Sequence, residues 1–246
     1  MQQWKPNSGW NTVQSFLRAA GRRMVAHAKL NADLSQEQRD LLQAEGSRLR
    51  AKADEVKTLG RALEDFVDGE LGDVRQEAFV WDMGCDDVNQ DAWRILQTSA
   101  GQKALAVAGK TREAIFDTTR INEVLRVGRM RTVTITRTVG ERVGKLTELP
   151  DGGALSAKLL AAADGLRGVA VRLEAPEGDL MVKLSQHYEA IESVVGPVRN
   201  DLTPMYGRLL SKFPKPFVEK LFPRVSRSGE VDDSEEPVPG SLTAAG

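Results

Sequence analysis

Apolar residues near the start of the chain recur at helical spacing. Placed at about 100° per residue, they occupy one arc of roughly 120°, and the opposite side is polar and basic. The arc consists of Trp10, Val13, Phe16, Leu17, Ala20, Met24 and Ala28. This pattern predicts a short amphipathic helix of the kind that lies in a membrane surface. It equally predicts a helix whose apolar side packs against the rest of the protein, and the sequence leaves both interpretations open.

A second apolar stripe, from Leu34 to Leu63, has a spacing of seven or eight residues. It predicts a long first helix over residues 33 to about 83, beginning near Asp33 or Ser35. Because these spacings average close to two helical turns, the stripe stays on one side of the helix and needs an extended partner. A break is expected over residues 84–89, within the segment MGCDDVN.

The stretch from residue 104 to about 146 fits both a strand and a helix. The segment RTVTITRTV, residues 131–139, alternates β-branched residues as strands do. We favour a helix, because the apolar positions from Ile121 to Leu146 then share one side and most arginines lie on the other. Residues eleven apart lie about three turns apart, so the arginines would form rows along roughly 30 Å of helix. The rows are Arg120, Arg131 and Arg142 in one, and Arg126 and Arg137 in the other.

Two segments that contain proline and glycine, ELPDGG at residues 148–153 and EAPEGD at 174–179, are predicted to interrupt regular structure. A third long helical segment is expected from Asp179, with a break or kink at Gly196 and Pro197. The residues from 225 onwards are acidic and rich in Ser, Pro and Gly, which predicts a disordered or loosely held tail. The expected division is an amphipathic helix over 1–30, a helical domain over 31–224 and an acidic, disordered tail over 225–246.

Charge is unevenly distributed along the chain. The total of 34 Lys and Arg against 35 Asp and Glu excludes a strongly basic nucleic-acid-binding protein. Residues 1–29 and 110–145 are basic, whereas 30–109 and the tail are acidic. Two basic segments that flank an acidic one predict surfaces that meet different partners, although solvated helix faces give the same pattern. Aromatic residues make up only 5% of the chain, which favours a thin helical body over the thick core of an α/β enzyme.

Little in the sequence points to catalysis or to a metal site, so we expect no enzyme activity and no cofactor. One cysteine, Cys85, cannot close an intrachain disulfide, and two histidines, His27 and His187, cannot supply a zinc cage without acidic ligands. ALAVAGKT, residues 104–111, fits a relaxed nucleotide-loop pattern but follows no predicted strand. No apolar run reaches about 18 residues, and the first residues lack the plan of a signal peptide, so we expect a cytoplasmic protein.

Three stretches of the sequence resemble one family of membrane-binding proteins. They are MQQWKPNSGWNTVQSFLRAAGRRM at the start, TREAIFDTTRINEVL from residue 111 and VRNDLTPMYGRLLSKFPKPFVEKL from residue 198. Their order resembles that of the BAR domain of the amphiphysin and Rvs type. The resemblance implies an all-α fold, in which the amphipathic helix precedes an elongated three-helix antiparallel bundle or coiled coil that forms a homodimer. It further implies a cytoplasmic, peripheral membrane protein of endocytosis that binds anionic phospholipid and senses or generates curvature.

By analogy with that family, cations of the middle segment bind lipid and the first helix inserts into the membrane. The implied lipid-binding residues are Lys110, Arg112, Arg120, Arg126, Arg129, Arg131, Arg137 and Arg142. The implied inserting helix contributes Trp10, Val13, Phe16, Leu17 and Met24, together with Arg18, Arg22 and Arg23. Two other functions stay open: a helical structural or scaffolding subunit of a virion, filament or other assembly, and a protein of the lipid-droplet surface. The acidic tail is a further place where a protein partner would bind.

Overall fold

The computed structural model describes residues 8–226 and 230–232. This part of the chain is all-α, as predicted, with nine α-helices, a 3₁₀ turn at Ile121–Glu123 and one antiparallel pair of two-residue strands. The helices are α1 (Trp10–Leu30), α2 (Gln36–Asp68), α3 (Glu70–Ile95), α4 (Ser99–Val107), α5 (Arg112–Phe116), α6 (Arg129–Val143), α7 (Gly152–Glu174), α8 (Asp179–Leu210) and α9 (Lys215–Leu221). The strands are β1 (Arg224–Val225) and β2 (Val231–Asp232).

The helices form two compact units. Unit 1 contains the described residues up to Asp65 and from Ser185 onwards, and unit 2 contains residues 66–184. The boundary falls within α2 and α8, so this division differs from the one expected at residues 30 and 224. Each unit has hydrophobic clusters of its own.

Unit 1 has one large core, in which α1 packs with α2, α9 and the C-terminal part of α8. The apolar arc of α1 supplies Phe16, Leu17 and Met24, which are fully buried. Glycines let α1 and α2 approach closely, since a Cβ on Gly46 would lie 2.9 Å from the backbone carbonyl oxygen of Gly21. Burial of a side chain of this size contributes roughly 1.5–3 kcal/mol, so the arc is a main source of stability for unit 1.

Unit 2 is built on α3, α6 and α7, which pack against one another. The segment RTVTITRTV lies in α6 and is helical, as predicted. Thr132 and Thr136 are buried, and the amide of Asn89 on α3 donates to the Thr136 hydroxyl at 2.7 Å. Thr134 and Thr138 donate to backbone carbonyls one turn earlier in their own helix. The hydroxyls of these threonines thus have hydrogen-bond partners on α3 or within α6 itself. These hydrogen bonds stabilise the β-branched segment as a helix.

Two predicted helix limits are wrong. The first long helix ends at Asp68 and α3 continues to Ile95, so the break lies at Gly69 and not over residues 84–89. Gly69 has φ −86° and ψ −103°, outside helical geometry, whereas Gly84 lies inside α3. The second long helix, expected from residue 104 onwards, is divided into α4, α5, the 3₁₀ turn and α6. Gly109 follows α4 with φ +61°, a left-handed conformation that suits glycine and turns the chain away from the helix.

The interruptions expected at residues 148–153 and 174–179 are confirmed. α7 begins at Gly152, and α8 begins at Asp179 after a short connection. α8 continues past Pro197, where a break or kink was expected. Val225 and Val231 of the strand pair pack against the core of unit 1. The predicted disorder of residues 227–229 and 233–246 lies outside the described residues, as does the start of the predicted N-terminal helix at residues 1–7.

Candidate interaction surfaces

The apolar side chains expected to insert into a membrane lie in the core of unit 1. Val13, Phe16, Leu17 and Met24 are at most 2% exposed, and Trp10 packs against this core. In this structure the apolar stripe of α1 therefore packs against the rest of the protein, which is one of the two interpretations that the sequence left open. Insertion would require α1 to leave the core and expose these side chains, which costs roughly 1.5–3 kcal/mol for each large one.

The basic residues of α1 are held in the same unit to different degrees. Arg23 is 6% exposed, and its guanidinium donates to the backbone carbonyl of Lys220 at 3.1 Å. Arg18 forms a long ion pair with Asp54 at 3.9 Å, and Arg22 is exposed. Arg23 therefore stabilises the contact between α1 and α9, while Arg18 and Arg22 present charge to solvent.

The cations of the middle segment do not form the two predicted rows. α6 begins at Arg129, so Arg120 and Arg126 precede it and cannot continue its face at helical spacing. The prediction of rows along one long helix is therefore wrong, because the chain turns between α4 and α6. The predicted lipid-binding residues that α6 carries are Arg129, Arg131, Arg137 and Arg142.

Four of the eight predicted lipid-binding residues form ion pairs with carboxylates. The pairs are Arg112 with Glu113, Arg129 with Glu174, Arg137 with Asp164, and Arg142 with Asp117. Arg142 also donates to the backbone carbonyls of Ala114 and Ile115, both at 2.9 Å. Its hydrogen bond to Asp117 holds the pKa of that carboxyl below its ordinary value. Each exposed pair contributes at most about 1 kcal/mol, but together they neutralise much of the positive charge that an anionic surface would need.

The other four predicted lipid-binding residues are exposed. They are Lys110, Arg120, Arg126 and Arg131. Their side chains make no hydrogen bond or ion pair within the described residues. The stretch from residue 110 to 131 is therefore a place where unit 2 presents positive charge that no carboxylate neutralises.

α3 carries an apolar patch on the side that faces away from the core of unit 2. Phe79 is 53% exposed, Val80 59% and Met83 50%. Phe79 and Met83 are one turn apart and Val80 lies beside both, so the three side chains form a continuous patch. The buried side of the helix carries Ala78 and Cys85. The patch of Phe79, Val80 and Met83 is hereafter the α3 face.

Carboxylates flank the α3 face. At helical spacing Asp82 and Asp86 lie on one side of it, and Asp87 lies at its C-terminal end, one turn after Met83. Burial, together with the negative charges of Asp82 and Asp87, raises the pKa of Asp86 to about 6. The pKa of Asp82 is also raised, chiefly by burial. Negative charge thus predominates beside the α3 face at neutral pH, with Arg129 offsetting part of that of Asp82 and the exposed Arg75 one turn before the face.

The raised pKa of Asp86 links its ionisation to folding. The carboxyl holds its proton more tightly in the folded chain than in the unfolded chain, where an aspartate has a pKa of about 3.9. The free energy of unfolding therefore decreases as the pH rises from about 4 to about 6, and outside that window this group changes it little. A positive charge placed beside Asp86 would relieve the destabilisation.

A pocket of about 280 Å³ opens between the end of α5, the 3₁₀ turn and α6. Its apolar lining is Ile115, Phe116, Val124, Ile135 and Val139. Its polar lining is Asp117, Thr118, Glu123, Arg131, Thr134 and Thr138. The pocket therefore combines apolar surface with charges of both signs.

The residues that the sequence analysis considered for nucleotide, thiol or metal chemistry have structural positions in the fold. In ALAVAGKT, the hydroxyl of Thr111 accepts a hydrogen bond from the amide of Ala114 at 3.1 Å and caps α5. Burial raises the pKa of the Cys85 thiol to about 11, which disfavours the reactive thiolate. His187 is half-buried on α8. Among the residues that the structure describes, no group of three or more His, Cys, Asp or Glu is placed to hold a metal ion.

No protein-family model, curated protein or solved structure matches this chain. The resemblance to BAR domains therefore stays a prediction. Within residues 8–226 and 230–232, none of the helices is both long and apolar enough to cross a lipid bilayer.

The predicted sites include neither the α3 face nor most of the pocket. The sequence does contain a signal for the face: in AFVWDMG, residues 78–84, Phe79 and Met83 fall opposite the buried stripe once the helix is continued through residue 84. Because a helix break was predicted at residues 84–89, this apolar face was not predicted. The pocket has no local signal, because it depends on how the chain turns between α5 and α6.

Proposed function

We propose that this protein is a helical scaffolding subunit of a larger assembly and that it binds a partner protein through the α3 face. The observation that carries the proposal is the exposure of Phe79, Val80 and Met83 on a helix whose opposite side is buried. Clustered apolar surface of this kind is unfavourable in water and marks interaction sites in soluble proteins. Burial of the exposed half of each side chain would contribute on the order of 1 kcal/mol.

The charge around the α3 face selects the kind of partner. The carboxylates of Asp86 and Asp87 repel an anionic phospholipid surface and attract a cationic one. A basic amphipathic helix offers apolar side chains for the face and Lys or Arg for the flanking carboxylates. The occupant of the α3 face is accordingly a basic amphipathic helix of another protein.

Gly84 leaves room for a partner to approach closely. A Cβ at this position would meet nothing within 4 Å, so packing inside the chain does not require a glycine here. Glycine inside a helix costs about 1 kcal/mol relative to alanine. A partner helix that lies against the backbone of α3 beside Val80 would explain why residue 84 is a glycine.

Binding of a defined peptide tests the proposal. A labelled peptide with Leu and Lys at amphipathic helical spacing is titrated with the full chain, and the same peptide with Glu in place of Lys is the charge control. We expect the Lys peptide alone to bind. The double variant Phe79→Gln, Met83→Gln should weaken that binding roughly thirtyfold, from about 1 kcal/mol per side chain.

The matched control is the double variant Val107→Gln, Met130→Gln, which removes exposed apolar side chains elsewhere in unit 2. It should bind the Lys peptide as the wild type does. Equal binding of the Lys and Glu peptides, or equal binding by the two double variants, would contradict the proposal. A change from dimer to monomer on replacing Phe79 and Met83 would show that a second copy of this chain, and not another protein, occupies the face.

A second candidate function is peripheral membrane binding by an antiparallel homodimer of the BAR kind. The observation in its favour is that Lys110, Arg120, Arg126 and Arg131 are exposed and pair with none of the described carboxylates. Each cation near an anionic leaflet contributes on the order of 1 kcal/mol. Sedimentation with phosphatidylserine vesicles at low and high salt tests it. We expect binding at low salt that high salt weakens and that the double variant Arg120→Gln, Arg126→Gln also weakens. Absence of binding at both salt concentrations would reject this function.

A further inference from the structure

The pocket between α5, the 3₁₀ turn and α6 has a wall that Arg142 fixes in place. Its guanidinium donates to the carbonyls of Ala114 and Ile115 at 2.9 Å each and pairs with Asp117 at 2.8 Å. A cation at the C-terminal end of a helix satisfies carbonyl groups that the helix itself leaves without donors. The chain that follows α5 is thereby held against α6, so the fold forms the pocket by itself.

Two opposite charges line this pocket and do not neutralise each other. Arg131 makes no ion pair within the described part of the chain. Glu123 accepts a hydrogen bond from the Thr118 hydroxyl through Oε2, and its Oε1 has no donor among the described residues. The third charged group, Asp117, is already paired with Arg142. Among the residues that the structure describes, a ligand in the pocket therefore meets one free cation and one free carboxylate oxygen.

The threonines of α6 add hydrogen-bond acceptors. The hydroxyl of Thr134 donates to the carbonyl of Met130 at 3.0 Å, and that of Thr138 donates to the carbonyl of Thr134 at 2.8 Å. Since each hydroxyl uses its single proton inside the helix, its oxygen is left to accept. These oxygens and Glu123 suit an ammonium group, whereas the guanidinium of Arg131 suits a carboxylate.

We propose that this pocket binds a free amino acid with a large apolar side chain. Glu123 receives the ammonium group and Arg131 the carboxylate. The side chain lies against the apolar wall of Ile115, Phe116, Val124, Ile135 and Val139. The volume of about 280 Å³ is just below the range of roughly 300–1,000 Å³ for drug-sized ligands, as expected for a smaller molecule.

Isothermal titration calorimetry of the full chain with L-phenylalanine tests the proposal. Two analogues each lack one charge: phenethylamine has no carboxylate, and 3-phenylpropionate has no ammonium group. We expect L-phenylalanine to bind, and each analogue to bind at least about tenfold more weakly, because each loses one charge-assisted interaction.

Two variants test which residue binds the carboxylate and which binds the ammonium group of the ligand. Arg131→Gln should weaken the binding of L-phenylalanine about tenfold and leave that of phenethylamine unchanged. Glu123→Gln, which retains an acceptor for Thr118, should weaken L-phenylalanine binding and leave that of 3-phenylpropionate unchanged. Arg126→Gln is the matched control, because Arg126 is exposed and does not line the pocket. Far-UV circular dichroism verifies that each variant is folded.

Absence of heat with both L-phenylalanine and L-leucine at millimolar concentration would overturn the proposal. So would analogues that bind as tightly as L-phenylalanine, or a loss of binding in Arg126→Gln equal to that in Arg131→Gln. Tighter binding of 3-phenylpropionate than of L-phenylalanine would show that the pocket takes simple anions instead.

Discussion

Replacement of Thr136 by valine should destabilise unit 2, because it leaves a buried amide without an acceptor. Asn89 is fully buried, and its Nδ2 donates to the Thr136 hydroxyl at 2.7 Å, while its Oδ1 has no hydrogen-bond partner in the described part of the chain. Loss of the hydrogen bond costs roughly 1 kcal/mol, and burial of the unpaired amide costs roughly 1–3 kcal/mol more. Since valine and threonine have nearly the same shape, we expect the free energy of unfolding to fall by about 2–4 kcal/mol.

A change at Asn89 isolates this hydrogen bond. Asn89→Leu removes the amide together with its unpaired oxygen, and the Thr136 hydroxyl can then donate to a carbonyl of α6. The double variant Asn89→Leu, Thr136→Val should therefore be more stable than Thr136→Val by about 1–2 kcal/mol. Thr134→Val is the control: its hydroxyl donates within α6 at an exposed position, so we expect a change within about 0.5 kcal/mol.

Urea unfolding followed by far-UV circular dichroism and tryptophan fluorescence measures these differences, and Trp81 and Trp93 report on unit 2. If Thr136→Val lowered the free energy of unfolding by less than about 0.5 kcal/mol, the reasoning would be refuted. A double variant that is less stable than Thr136→Val would also refute it. Either result would mean that α3 and α6 do not meet through Asn89 and Thr136.

Asp86→Asn should raise the free energy of unfolding at about pH 7 by on the order of 1 kcal/mol, allowing for the exposure of the carboxyl, and leave it unchanged at about pH 4. Thermal unfolding at both pH values measures this, and equal stabilisation at both would contradict the raised pKa. Phe16→Ala should lower the free energy of unfolding, measured by urea unfolding, by roughly 3–5 kcal/mol. A decrease of less than about 1 kcal/mol would show that α1 is not part of the core. Gly84→Ala should stabilise the chain by about 0.5–1 kcal/mol and weaken binding of the Lys and Leu peptide, whereas a fall in stability would show that the position is packed.

The helical class was predictable because a 3.6-residue period is a local property of the sequence. The same period favoured a helix over a strand for RTVTITRTV, and the segment is helical. The hydrogen bond of Thr136 with Asn89, 47 residues away in the sequence, joins this helix to α3, and no local pattern contains it. The break between α2 and α3 was misplaced for a related reason: Gly69 and Gly84 look alike in sequence, and only the conformation of Gly69 ends a helix.

The sites were less predictable than the class because they depend on tertiary contacts. The arginines of α6 are visible in the sequence, but the carboxylates that pair with Arg137 and Arg129 lie on α7, 27 and 45 residues away. An amphipathic arc such as that of α1 is the same whether lipid or protein covers it. Phe16 is buried in the cluster that α1 forms with α2, α8 and α9, and most residues of that cluster lie far from Phe16 in the sequence.

Hydrogen–deuterium exchange of the full chain, with and without the Lys and Leu peptide, tests most directly whether the α3 face is a docking surface. The backbone amides of α3 around residues 79–87 should exchange more slowly when the Lys peptide is bound, and the Glu peptide should leave exchange unchanged. Slower exchange confined to other helices, or none at a concentration that saturates peptide binding, would contradict the account.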